Sequence, residues 1–142
     1  MSTAQRFFGI DYGTRKIGVA VGQTLTRTAM GIAVVPVRNG EPDWVQLDQL
    51  VAHWKPQALV VGMPYNMDGT DSDLMVKVQS FAQGLSDRYD LPWHKVDERL
   101  STREAREISR NNADMTGKRY NDRGQVDAMA AQLLLESWFE NN

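Results

Sequence analysis

The chain has 142 residues, 42% hydrophobic and 24% charged, which suits one compact domain with a sizeable core. It has no cysteine and only two histidines, His53 and His94, which excludes disulfides, thiolate zinc sites, a cysteine nucleophile and a His-rich metal centre. The formal net charge of -2 weighs mildly against a nucleic-acid partner unless basic residues cluster locally.

Residues 7–10 read as a strand ending at Asp11, and residues 17–21 as a second apolar strand. The short Gly-containing segment between them predicts an antiparallel hairpin. Residues 30–35 form a third strand that Pro36 should stop. Residues 38–42 read as a loop with Pro42 near a helix start. Trp44, Leu47, Val51 and Trp54 then recur at helical spacing. Residues 58–62 are a short buried strand, so strand, helix and strand in succession predict a crossover into parallel pairing.

In the following loop Asp68-Gly69 reads as a turn and Thr70 as a helix cap. Leu74, Val78, Phe81 and Leu85 share one face of the helix beyond it. A fifth strand spans about residues 93–96. Ser101-Thr102-Arg103-Glu104 matches a capping box opening another helix. Residues 110–124 are polar, basic and irregular, and a last helix runs from about residue 125 to 139. The expected fold class is α/β. A five-stranded mixed sheet, a three-strand antiparallel meander followed by parallel strands, is flanked by helices within one domain over residues 1–142. No apolar run approaches the roughly 20 residues a membrane helix needs. The N-terminal residues carry no signal-peptide pattern. A cytoplasmic protein with no membrane partner is therefore expected.

Three acids stand out. Asp11 shares a strand face with Phe7 and Gly9, where a carboxylate is costly to desolvate without compensation. A turn aspartate capping Tyr12-Gly13-Thr14 is the equally good bland reading. Asp127 lies in the stripe Asp127, Ala131, Leu134, Trp138, on the apolar side of its helix, which favours function over a first-turn acid meeting the macrodipole. Asp97-Glu98 follows the fifth strand, at the carboxyl rim where ligand sites of open α/β sheets gather. Taken alone, a solvated turn pairing with Arg99 is the simpler reading there, and either acid of the pair could face the rim.

If these acids meet, they offer the hard oxygen ligands that Mg²⁺ or Mn²⁺ prefers. Two such ions about 3.5–4 Å apart can clamp a phosphodiester during cleavage. Arg110, Lys118, Arg119 and Arg123, with Tyr120 among them, lead into Asp127 and would suit a nucleic-acid backbone, although Asp114 and Asp122 dilute the charge and leave a plain loop as an alternative. Arg15 and Lys16 beside Asp11 would position the same backbone. His53 and His94 read as structural, and Trp44 and Trp54 as core.

Four segments resemble one family in order along nearly the whole chain. They are Phe8-Gly9-Ile10-Asp11-Tyr12-Gly13-Thr14-Arg15-Lys16-Ile17-Gly18-Val19-Ala20, Val60-Val61-Gly62-Met63-Pro64-Tyr65-Asn66-Met67-Asp68-Gly69-Thr70, Asp97-Glu98-Arg99-Leu100-Ser101-Thr102 and Val126-Asp127-Ala128-Met129-Ala130-Ala131. Each alone is weak, but together they resemble the YqgF family, also called RuvX, of pre-16S rRNA nucleases. The resemblance implies an RNase H-like fold related to the RuvC resolvases, with Asp11, Glu98 and Asp127 as catalytic and metal-binding residues. It implies maturation of the 5′ end of pre-16S rRNA, with ribosomal precursor particles as partners, and the older suggestion of cleaving branched DNA at Holliday junctions. Where RuvC-type enzymes carry a glutamate after the fourth strand, this chain reads Gly62-Met63-Pro64, so the second acid must come from Asp97-Glu98.

A resolvase would act as a homodimer, whereas the rRNA nuclease could be a monomer or homodimer. A non-catalytic RNA-binding assembly factor is a further alternative. A nucleotide-cleft ATPase, suggested by Asp11-Tyr12-Gly13-Thr14, would need a second such domain to close its cleft.

Overall fold

The structure is a computed structural model that describes residues 4–98 and 122–142, with residues 122–127 described as backbone. Strand β1, Arg6–Tyr12, is the hinge of the topology. On one side it pairs antiparallel with β2, Lys16–Gln23, which pairs antiparallel with β3, Thr28–Arg38. On the other side it pairs parallel with β5, Ala58–Met63, which pairs parallel with β6, Trp93–Asp97. A two-residue strand β4, Glu41–Pro42, lies against the end of β3. The sheet order is β4-β3-β2-β1-β5-β6. Helices α1, Trp44–Trp54, and α2, Met75–Tyr89, carry the crossovers, and α3, Asp122–Asn141, ends the chain.

The meander and the parallel strands stand as expected, but the sheet has six strands rather than five. The extra one arises because Asn39 and Gly40 both take the left-handed conformation (φ +54° and +78°), the two-residue turn that reverses a strand into a tight hairpin. The Asn-Gly pair carried that signal in the sequence.

Pro36 does not stop β3, which continues to Arg38. Its carbonyl accepts from the Asp43 N–H at 3.0 Å, whereas the Val37 N–H turns the other way, to Arg15 O at 2.8 Å. The N and C=O of one residue in an antiparallel strand point to the same side. The missing N–H therefore faces the outer edge and costs no bond with β2.

Nor does Thr70 cap α2. Its N–H and hydroxyl both donate to Asp68 Oδ1, at 3.0 and 2.6 Å, closing a local turn around Gly69, and the helix starts only at Met75. The helix expected from Ser101 lies outside the described residues.

Side-chain alternation divides the sheet into two faces. Phe8, Ile10, Ile17, Val19, Leu59 and Val61 point towards α1 and α2, where they pack with Leu47, Val78 and Leu85. Asp48 of α1 is tied to α2 by Arg88 (2.8 and 2.9 Å) and by the Tyr89 hydroxyl (2.6 Å), and these bonds hold its carboxyl down at about 2. This network is solvent-exposed, so it orients the two helices more than it stabilises them.

The opposite face receives α3. Phe7, Ala58, Val60, Leu135 and Phe139 form its core, and the His94 ring lies 6.1 Å from Phe7 and 5.0 Å from Trp138. Towards α3 the strands present glycine. A Cβ on Gly9 would lie 2.7 Å from Ala131 O, and one on Gly31 would lie 2.7 Å from Ala128 O and 2.8 Å from Ala128 Cβ. The Gly31 N–H donates to Gln132 Oε1 at 3.0 Å, which locks the helix laterally.

Because the obstructing atoms are helix backbone, Gly31→Ala cannot be relieved by a rotamer change. The expected cost is about 3 kcal/mol, at the upper end for overpacking, read as a lowered denaturant midpoint. A midpoint equal to the parent's would show that α3 is not seated this closely.

Candidate active site

Asp11 is the penultimate residue of β1 and has the parity of Phe7 and Gly9, so it faces α3. Its antiparallel partner is Gly18, and the parallel register that pairs Ile10 with Val61 brings it level with Gly62. Both neighbours are glycine, so neither strand fills the volume beside the carboxylate with a side chain.

Glu98 fills part of that volume. Val96, two residues earlier, packs on the α3 side of the sheet, and Glu98 follows it onto the same face just past the end of β6. A Cβ placed on Gly62 would lie 3.0 Å from Glu98 Oε2 and 3.2 Å from Glu98 Cβ. Glu98 thus reaches across the end of β5, over a residue with no side chain, and hydrogen-bonds Asp11. Asp97 alternates to the opposite parity, pairs with Met63 in the ladder and does not take this position. The choice between Asp97 and Glu98 that the sequence left open is decided by strand parity.

The Glu98 carboxyl is half-buried. Burial raises its pKa above the ordinary value and the neighbouring Asp97 charge raises it further, while the bond to Asp11 works in the opposite direction. Two carboxylates in contact repel unless a proton or a cation lies between them. Sharing a proton is one solution, and an all-oxygen cation site is the other. The donor set therefore fits a hard divalent cation. Among the described residues no third acid or histidine completes a ligand cluster.

Asp127 belongs to α3, but its side chain lies outside the described residues, as does that of Arg123, and Arg110, Lys118 and Arg119 lie there entirely. The backbone of α3 still places position 127. Phe139 packs with Phe7, and Ala131 sits over Gly9, so the helix runs antiparallel to β1. One turn before Ala131, position 127 comes level with the carboxyl end of β1, where Asp11 is.

Arg15 and Lys16 lie at the β1–β2 turn and, with Asp11 and Thr14, line a depression of about 230 Å³. The sequence reading passes over Gly62, which leaves room for Glu98 and Leu134, and Gly18, the ladder partner of Asp11. A glycine inside a strand signals close approach of another group, and that signal was present at both positions.

The fold has solved counterparts. A Thermus thermophilus RuvC bound to Holliday junction substrate matches with a TM-score of 0.57 at 17% identity, covering 96% of this chain and 94% of that one. Fowlpox virus resolvase bound to Holliday junction DNA matches with a TM-score of 0.56 at 13% identity, covering 96% and 97%. The likeness shows an RNase H-like fold of the RuvC kind, and the class, a nuclease acting on phosphodiester bonds, follows from the sequence family.

Residues 5–141 match the family model RuvX, described as Holliday junction resolvase, and the chain belongs to that family. An Azotobacter vinelandii protein named "Putative pre-16S rRNA nuclease" is 48% identical over 138 residues, covering 97% of this chain and 95% of its own. A protein of the same name from Pseudomonas fluorescens strain SBW25 is 47% identical over 134 residues, covering 94% and 91%.

A carboxyl whose folded pKa is raised favours the folded state fully below the unfolded value, and that contribution is lost as pH rises through the folded value. In chelator, Glu98→Gln should therefore melt higher than the parent at pH 7.5, with the gap closing as pH falls below the ordinary carboxylate range. Thermal unfolding at several pH values reads this, and a gap independent of pH would contradict the burial and repulsion described.

Proposed function

We propose that the chain is a single-domain, cation-dependent nuclease whose catalytic and metal-binding residues are Asp11, Glu98 and Asp127. The observation that carries this reading is the Asp11–Glu98 contact, in which two carboxylates from separate strands are held together over glycine. Asp127 would supply the third acid, a reading supported by the position of its backbone on α3, one turn before Ala131. When bound, Mg²⁺ or Mn²⁺ would supply Lewis-acid stabilisation of the charge that develops on the phosphate.

The protein's own part is positional. Asp11 sits on β1 and Glu98 lies beside it, and with Asp127 they would be the oxygen donors. Arg15 and Lys16 would hold the phosphate backbone at the rim, without reading bases, and Arg110, Lys118, Arg119 and Arg123 would add further backbone contacts. The half-buried setting of Glu98 strengthens each electrostatic contact made there.

The natural substrate proposed is precursor 16S rRNA, as supported by the names of relatives at 47–48% identity, with cleavage during maturation of its 5′ end in the cytoplasm as the finer part of the proposal. Ribosomal precursor particles are the corresponding partners. No described helix is long and apolar enough to cross a membrane. Holliday junction cleavage is the second reading, favoured by the description of the matching family model. It would require two sites and hence a homodimer, where rRNA cleavage would accept a monomer.

The test compares Mg²⁺-dependent cleavage of a precursor rRNA fragment and of a four-way DNA junction by the parent and by Asp11→Asn. Loss of a charged ligand should lower the rate at least 100-fold while folding and RNA binding persist. Mg²⁺ should raise the melting temperature of the parent at pH 7.5 and leave that of Asp11→Asn unchanged. If Asp11→Asn cuts as fast as the parent, the catalytic assignment is wrong. Preference for the junction over the rRNA fragment would select the second reading.

A further inference from the structure

The β1–β2 turn separates two concavities. One is the depression lined by Asp11, Arg15 and Lys16. The other is an open groove of about 670 Å³ on the α1/α2 side of the rim, and Tyr12 and Thr14 line both. Tyr12 follows Asp11 in β1 and has the opposite parity, so the acid and the aromatic ring serve opposite faces of one strand end.

From Tyr12 an aromatic row runs away from the acids. Tyr12 and Phe81 rings lie 5.0 Å apart, and Phe81 and Trp44 rings 6.4 Å. The Arg88 guanidinium covers the Trp44 ring at 4.5 Å, and the Trp44 indole N–H donates to Glu41 Oε2 at 2.9 Å. All three rings also back the main core, which accounts for their apolar side but not for the open space in front of them.

Helix α2 borders that space with Lys77, Phe81 and Gly84, at the i, i+4, i+7 spacing of one helical stripe. Gly84 has no packing explanation. A Cβ there would meet nothing within 4 Å, although glycine inside a helix costs about 0.5–1 kcal/mol relative to alanine. Its effect is to keep the groove open.

We propose that this groove binds unpaired nucleotides of the substrate strand next to the phosphate held at the acids, with bases against the aromatic row and backbone phosphate at Lys77. This deepens the nuclease reading and rests on it. The occupant follows from three features. The groove shares Tyr12 and Thr14 with the depression beside Asp11, its aromatic walls suit any base because every base has a π-face, and a cation, Lys77, sits at its border. A duplex would not enter, since its bases are stacked on each other.

The test measures binding of a labelled 12-nucleotide oligouridylate, oligothymidylate and a duplex of equal length by fluorescence anisotropy, with the full chain in chelator. The variants are Gly84→Met, Lys77→Glu and, at the opposite rim, Leu25→Glu as a control for added negative charge. Gly84→Met should raise the melting temperature, because it replaces a helix glycine, yet weaken single-strand binding at least tenfold. Lys77→Glu should weaken it by a similar factor, and Leu25→Glu by less than twofold.

Similar affinity for both single strands would mean that base and phosphate suffice, whereas preference for uridylate would add a ribose contact, and either supports the groove. Gly84→Met binding within twofold of the parent overturns the proposal, even if Lys77→Glu binds weakly, because charge alone would then explain the loss. So does duplex binding as tight as single-strand binding. Hydrolysis of bis-p-nitrophenyl phosphate by the parent in Mg²⁺, a diester too short to need the groove, separately reports the nuclease reading.

Discussion

The seating of α3 on a glycine-faced sheet is the constraint on which the site depends. At Gly9 and Gly31 the helix backbone occupies the place of a side chain, with Ala131 O and Ala128 O each 2.7 Å from where a Cβ would be. Close-packed interiors resist such insertions, because atoms that cannot rotate away must shift together. The contact sets the height of the helix, and the Gly31–Gln132 bond sets its lateral position. Position 127 on the helix and Asp11 on the strand are thereby brought to one level from opposite ends of the chain.

The same device is used a second time at Gly62. There the missing side chain admits both Leu134 of α3, whose Cδ1 would lie 2.7 Å from a Cβ, and Glu98 from just beyond β6, whose Oε2 would lie 3.0 Å from it. The result is a carboxylate beside Asp11, disfavoured as an anion by burial and by Asp97. Stability is given up where chemistry needs like charges together, and the tightly packed face beneath holds them there.

On the far side of the sheet the requirements are ordinary. Alternating apolar residues bury against α1 and α2, and the Asp48–Arg88–Tyr89 network orients those helices at the surface. Gly84 is the exception, a glycine retained in a helix without a packing reason. Its position beside Tyr12 and Phe81 links that face to the rim.

Much of the architecture was legible in the chain. Periodicity located the long strands and helices, and crossover connections implied parallel pairing, because these depend on local spacing and on rules of chain handedness. Strand parity also put Asp11 on the face of Gly9. Pro36 and Thr70 were misread because each was judged by residue type. The cost of a proline depends on which side its missing N–H faces, and Thr70 bonds Asp68 instead of capping a helix. Which of Asp97 and Glu98 meets Asp11, and that Gly62 makes room for it, belonged to the tertiary structure. Side-chain convergence is settled by the register and packing of strands distant in sequence, and no local pattern records that.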